Sequence, residues 1–355
     1  MRLWLFEVKK ILRTQKGIWI LLMCLLLKGL VLAVVPEMKD ARIKLSQKQY
    51  DKYLEQLYGE NTPEKMKFII EEYQNNKKIQ GMRQAMDEDY EAGRITEQAW
   101  FAYAEELDQA YLHENAVNLF LEKTEQFAMQ PTDIPPAHYI YEYGWKTVYT
   151  LQKLPDVCLL LAVLVMTAQC FSAEASRGML PVLLAAKNGR KYLFFAKLLA
   201  LMAVSFGGAA ISGGLEAVIF YLRGFLNDGG APLYSITLFT DCPLPLTLRQ
   251  AYLLSLGIRV CATMLFAGTM YGISVWLRNT ANLLFAGLCV LLVPFVLAGL
   301  LGTGLLFTHA GLLCSSRMLI LLGQSHLPLI LPLGVVGTYS FVLVCFAMRR
   351  HQKGL

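Results

Sequence analysis

The sequence predicts an all-α polytopic membrane protein, six transmembrane helices with an α-helical extracellular domain inserted after the first. Three observations predict it. Six long apolar stretches, at 17–35, 154–171, 192–222, 251–276, 283–307 and 327–348, each reach or nearly reach the roughly 20 residues a helix needs to cross a bilayer. A charged segment of more than a hundred residues separates the first stretch from the rest, and basic residues gather at a few chosen boundaries. Composition agrees, with 55% of the 355 residues hydrophobic and 17% charged.

Residues 1–16 read as a cytosolic amphipathic interface helix. Trp4, Val8, Ile11 and Leu12 form an apolar stripe beside Lys9, Lys10 and Arg13, which suits a helix lying in the bilayer surface. Residues 17–35 form the first span. A basic start followed by an apolar run imitates a signal peptide, but the run is long and contains Lys28. It reaches Pro36 without a small-x-small cleavage site, so a retained anchor is expected.

Residues 36–153 form the extracellular helical domain. They carry 21 acidic and 14 basic side chains, net −7, while the remainder carries 6 acidic and 19 basic, net +13. Split in this way, the overall charge of +6 is a positive-inside bias and no nucleic-acid partner is implied. Helices are expected over 42–57 and 62–79, the second opened by Thr62 as N-cap and Pro63 at the first helical position. Gly93 breaks the pattern. Thr96 caps a long helix in which Trp100, Tyr103, Ala104, Leu107, Tyr111 and Leu112 are expected to share a face, and Pro131, Pro135 and Pro136 to follow its end. Such a stripe serves as the domain's own core or as a surface for a ligand or partner. Tyr139, Tyr141, Tyr143, Trp145 and Tyr149, just before the second span, fit an interfacial aromatic belt.

Residues 154–348 carry the other five spans, with a cytosolic coupling loop at 172–191 and a cytosolic tail at 349–355. Basic residues before the first span, in the 172–191 loop, at Arg278 and after the sixth span all fall on one side when the span number is even. Both termini are therefore expected in the cytoplasm. Within spans, Lys28 lies about 10 Å, Glu216 about 9 Å and Arg259 about 12 Å below the outer ends. An ionisable group there is expensive and faces a partner or a wet cavity. Glu216 is expected to pair with Arg259 or Lys28 and hold the first, third and fourth spans together, or to line a translocation path. The small residues around Gly207–Gly214 suit close helix approach, Pro294, Pro328 and Pro332 suit kinks, and 309–325 a re-entrant or interfacial helix.

The eight cysteines avoid residues 36–153, so that domain is no disulfide framework, and the pairing of Cys242 with Cys314 stays open. His309, His326, Cys242 and Cys314 match no metal-ligand spacing, and no metal site is expected. No H-E-x-x-H, G-x-S-x-G or phosphate-loop motif is present, which argues against an enzyme and against ATP hydrolysis by that route.

The run FSAEASRGMLPVLLAAKNGRKYLFFAK, with Glu174, Gly178, Leu183, Leu184, Arg190 and Lys197, resembles the membrane subunits of ATP-binding-cassette (ABC) transporters of the type-2 exporter class. The amphipathic opening and Tyr143-Gly144-Trp145 are similar to bacterial members with a large outer domain. The resemblance covers the span layout, the first 35 residues or so and 139–200. It implies a permease in a bacterial plasma membrane, gripped at those six residues by a separate ABC ATPase subunit, with a second permease copy or sister permease. No cofactor is implied in this chain, since ATP and magnesium would sit in the ATPase. Outward movement of an amphipathic peptide, antibiotic or lipid-like substrate is implied. Read without the resemblance, 172–191 is an ordinary basic loop holding anionic lipid. The alternative function is a membrane sensor or assembly protein with a ligand-binding outer domain and no transport.

Overall fold

The computed structural model describes residues 2–129, 134–175, 189–240, 242, 244–277, 279–325 and 327–353. The chain is an all-α membrane protein, its only strands among the described residues being a two-residue pair. It divides into two compact units, the first made of Met1–Pro36, Val148–Phe225 and Gln250–Leu355, the second of Glu37–Thr147 and Leu226–Arg249.

In the first unit, α1 (Arg2–Lys9) runs through a π-helical turn at Lys10–Thr14 into α2 (Gly17–Val34). Lys16, in the left-handed region at φ 57°, makes the bend between them. Apart from Lys28 the sequence Gly17–Val34 is apolar on every side, so the charge rather than an apolar stripe marks the face that turns inward. Trp19, Met23, Leu26 and Leu30 all stand more than 60% exposed, an arrangement stable only where hydrocarbon replaces water. Chain order then gives α8 (Tyr143–Leu151, begun in the second unit), α9 (Val157–Ala175), α10 (Gly189–Leu222), α11 (Leu248–Ser274), α12 (Thr280–Val296), α13 (Ala298–Leu301), α14 (His309–Leu313), α15 (Ser315–Ser325) and α16 (Ile330–Lys353). Among the described residues, four helices are long and apolar enough to cross a membrane: α2, Lys191–Leu222 of α10, α11 and Ile330–Gln352 of α16. A fifth arises if Thr280–Val296 and Gly299–Phe307, bent by 58° to one another, count together. Pro294 lies one turn before that break, where its missing N–H weakens the helix.

The core of this unit lies where α9, α10 and α11 meet, around Leu164, Met166, Phe194, Leu201, Phe266 and Met270. Glycine permits the closest approach: a Cβ on Gly287 would stand 2.3 Å from Leu164, and one on Gly311 only 2.0 Å from the carbonyl oxygen of Leu305. The α14 and α15 helices, within 309–325, are short and largely buried, too short to cross.

In the second unit, α3 (Ala41–Leu45) and α4 (Gln47–Leu57) precede α5 (Pro63–Gly81), α6 (Arg83–Glu91) and the 32-residue α7 (Glu97–Ala128). The Thr62 hydroxyl accepts from Lys65 N and that of Thr96 from Ala99 N, so both expected caps form. Gly93 turns the chain between α6 and α7 at φ 69°. Strands β1 (Gly59–Glu60) and β2 (His138–Tyr139) pair antiparallel. The core is aromatic: Tyr50 stacks on Phe120 at 4.9 Å, with Tyr53, Phe127, Tyr139 and Tyr143 around them.

Three expectations need correction. The helix expected over 42–57 is broken at Ser46, whose hydroxyl bonds back to the carbonyl of Arg42. On α7, Tyr111 and Leu112 are each 44% exposed, whereas Tyr103, Leu107, Ala110, Val117 and Phe120 are buried. At about 100° per residue, Leu112 lies about 180° around the helix from Tyr103. The aromatic residues before the second span make no belt: Tyr139, Tyr143, Trp145 and Tyr149 are all buried. Their polar tips are met inside the protein, Tyr139 by Thr124 and the Trp145 indole by the carbonyl of Asn227. The latter partner comes from Leu226–Arg249, which sequence analysis left as a connection between spans. Tyr234, Ile236 and Phe239 bury there, and the Ser235 hydroxyl accepts from His138 N.

Candidate functional site

Lys28 on α2, Glu216 on α10 and Arg259 on α11 come together in the first unit. Each is forced there by the same physics: a charge on a helix otherwise built for hydrocarbon must find an opposite charge. Lys28 Nζ lies 2.9 Å from Glu216 Oε2, and Arg259 donates to both Glu216 oxygens at 3.0 and 2.8 Å. A fourth charge completes the set. Asp156, at the entry to α9, accepts from Lys28 at 2.7 Å and from the Ser212 hydroxyl at 2.6 Å, with Arg259 3.8 Å away. Its other oxygen accepts from Leu159 N and so caps α9.

Two cations and two anions make the cluster neutral, and it ties α2, α9, α10 and α11 together. Polar neighbours add further hydrogen bonds. Gln152 donates to Glu216 at 2.9 Å and accepts from the Ser255 hydroxyl at 2.9 Å. Lys28 also donates to the Ser212 hydroxyl at 2.8 Å. A cavity of about 20 Å³ touches Asp156, Ser212, Arg259 and Thr263, enough for one water to bridge the wider Asp156–Arg259 gap. Paired in this way, the four charges cross-link the helices that carry them, since pulling one partner away would strand a buried charge.

Sequence analysis missed Asp156, Gln152 and Ser212. The signal was present in the charge balance: Lys28, Arg259 and Glu216 alone leave one cation over, and Asp156 is the carboxylate opening the next apolar stretch.

Of the residues expected to couple to an ATPase, Gly178, Leu183 and Leu184 lie outside the described residues. Glu174 and Arg190 sit in the last turn of α9 and the first of α10, with side chains outside the described set. Lys197 is 1% exposed, which corrects the expectation of a surface contact. Its ammonium donates to the carbonyl of Cys170 on α9 at 2.9 Å and lies 4.0 Å from Glu7 on α1. A positive charge at a helix C-terminus opposes the helix dipole favourably, so Lys197 fastens α9, α10 and the N-terminal helix. Glu7 of α1 and Ile11 of the π-helical turn that follows it are buried, while Phe6 is 62% exposed. The helix is thus amphipathic with one face held by protein.

A second polar group sits deeper in the same unit. His309 on α14 shares a hydrogen bond with Tyr339 Oη through Nδ1, and its Nε2 meets the Thr269 hydroxyl at 2.9 Å. Thr269 and Ser340 hydroxyls are 2.9 Å apart, so α11, α14 and α16 share one hydrogen-bonded node. No group of three His, Cys, Asp or Glu suited to a metal ion occurs among the described residues, and Cys242 and Cys314 are not joined in a disulfide.

The second unit carries an open cleft of about 790 Å³ between α5 and α7. At its floor the Tyr53 hydroxyl donates to Glu72 at 2.9 Å and lies 3.2 Å from His113 Nδ1. Burial pushes the His113 imidazole below its ordinary pKa, with Lys52 nearby adding to the effect. No family model, curated protein or solved structure matches the chain.

Proposed function

We propose that this chain is the membrane-spanning permease subunit of an ATP-driven exporter of the type-2 ABC class. In this reading Val157–Ala175 and the bent pair ending at Phe307 are the second and fifth of six spans. Both termini are cytoplasmic, and the second unit is extracellular. ATP hydrolysis belongs to a separate ATPase subunit, and a second permease copy or sister permease completes the pore. An amphipathic peptide, antibiotic or lipid-like compound is the cargo class.

The observation that carries the reading is the fastening of α1 to the helices flanking 172–191. Lys197, beside the Glu7 carboxylate of α1, closes on the end of α9, the helix that leads into that segment. A motor pressing on that segment would push on flanking helices that are fastened to α1. The charge cluster gives such a push something rigid to move, since α2, α9, α10 and α11 cannot slide singly without separating opposite charges.

Copurification from native membranes tests the reading. An ABC ATPase should accompany the wild-type chain and be lost when residues 174–178 are altered. Vesicles should then show ATP-dependent cargo movement. Transport without a nucleotide-hydrolysing partner, or 172–191 accessible from outside, overturns it. A sensor without transport is the second reading, favoured by the open cleft of the second unit. Neutralising Glu216 also separates two roles for the cluster: lost transport with intact assembly marks a pathway, misassembly marks a lock.

A further inference from the structure

The cleft between α5 and α7 has the chemistry of a binding site that the transport reading leaves without a role. Glu72, Asn75, Asn76 and Ile79 recur at three- and four-residue spacing on α5 and face Ala102, Glu106, Ala110 and His113 on α7. Ala102 and Ala110, with their short side chains, are among the residues that α7 contributes to the lining of this space. Longer acidic side chains surround that space. Glu105 and Glu106 are exposed on its wall and have no counter-ion among the described residues, while Lys78 is the basic member of the lining.

The floor is built from hydrogen bonds with a defined sense. Because the Tyr53 hydroxyl gives its proton to Glu72, its oxygen accepts from His113 Nδ1–H. That fixes the neutral Nδ1–H tautomer and leaves Nε2 as an acceptor. Asn76 supplies a further observation of a different kind. It is 8% exposed, it lines the cleft, and its Nδ2 has no hydrogen-bond partner among the described residues. A buried amide donor left unpaired is unfavourable and calls for an acceptor. Among the described residues no three-ligand group for a metal occurs, and the separated, exposed carboxylates of the lining suit an organic cation. The polar, open lining does not suit a lipid tail.

We propose that this cleft binds a linear organic oligocation that also carries hydrogen-bond acceptors. Its ammonium groups meet Glu72, Glu105 and Glu106, and a carbonyl or hydroxyl oxygen takes the Asn76 Nδ2 proton. The inference goes beyond the transport reading and stands whether the chain is a permease or a sensor.

Calorimetric titration of the full chain, in nanodiscs of zwitterionic lipid, tests it with two probes. Trilysine offers ammonium groups and amide carbonyls; spermidine offers ammonium groups alone. Saturable one-to-one binding of trilysine is expected, with spermidine weaker. Glu105→Gln with Glu106→Gln, at exposed positions that the fold does not need, should weaken both probes about tenfold. Asn76→Ala should weaken trilysine alone. Absence of saturable binding by either probe, or undiminished affinity in the double Gln variant, overturns the proposal. Equal loss of both probes in Asn76→Ala overturns the acceptor contact. Copurification with an ATPase reads none of these residues, so the two proposals fail separately.

Discussion

Glu216→Gln removes one charge from the neutral cluster while keeping the shape of the side chain. Glu216 faces Lys28 at 2.9 Å and Arg259 at 2.8 Å. At an effective dielectric of about 20, each contact is worth roughly 6 kcal/mol of gross attraction. Desolvation offsets most of this in the wild type, but removing one partner strands the excess cation, for which about 3–5 kcal/mol is the usual cost. Asp156 remains 2.7 Å from Lys28 and 3.8 Å from Arg259, and the glutamine amide oxygen still accepts one bond, so about 3 kcal/mol is expected. Thermal unfolding in detergent, followed by size-exclusion fluorescence, should show a fall of about 6–12 °C. Adding Arg259→Gln leaves Lys28 and Asp156 as a neutral pair. The double variant should therefore lose about 2 kcal/mol less than the sum of the singles. An unfolding temperature within about 1 °C of wild type for Glu216→Gln, or strict additivity in the pair, would refute the reasoning.

Asp156→Asn should cost about 2–4 kcal/mol by the same assay, through its bonds to Lys28 and Ser212 and its cap on α9. Gly311→Ala should destabilise more than Gly272→Ala, because the new methyl meets the Leu305 backbone oxygen in one case and the movable tip of Leu343 in the other. Overpacking of about 1–3 kcal/mol is expected for Gly311→Ala, read as a drop in yield of monodisperse protein. Burial holds the imidazoles of His113 and His138 below the ordinary value of 6.5, so the folded chain binds fewer protons than the unfolded one just below that pH. Their contribution is complete above about pH 6.5 and is lost as pH falls, at up to about 1.4 kcal/mol per pH unit for each. Denaturant titrations between pH 7 and 5 should show the fall, and His113→Gln with His138→Gln should flatten it.

Local signals in the sequence were the most legible. Thr62-Pro63 and Thr96 open helices where a hydroxyl can take a first-turn N–H, and Gly93 turns where a left-handed backbone is needed; all three depend on adjacent residues alone. Apolar length marked the membrane helices for the same reason. Lys28, Glu216 and Arg259 stood out because a charge in such a run is costly wherever its partner lies. Asp156 did not, since an aspartate before an apolar run reads equally well as a cap, and the structure uses it as both. Long-range packing was hidden. Nothing local tells Tyr143 or Trp145 from interfacial aromatics, because Tyr143 is covered by Tyr50, about 90 residues earlier, and Trp145 meets Asn227, 82 residues later. The internal role of Lys197, named only as part of the coupling pattern, was hidden because the carbonyl it meets lies 27 positions earlier.

The order in which the four charges are made has a consequence for biogenesis. Lys28 leaves the ribosome 128 residues before Asp156, and Glu216 follows later still. At ordinary elongation rates the first helix waits on the order of 10 s with an uncompensated ammonium in its apolar run. During that interval it cannot settle in lipid as a finished anchor, so the insertion machinery or a neighbouring polar groove must shelter it. Nascent chains arrested before residue 156 should therefore crosslink to the translocon through the first helix, and chains arrested after residue 259 should have let go.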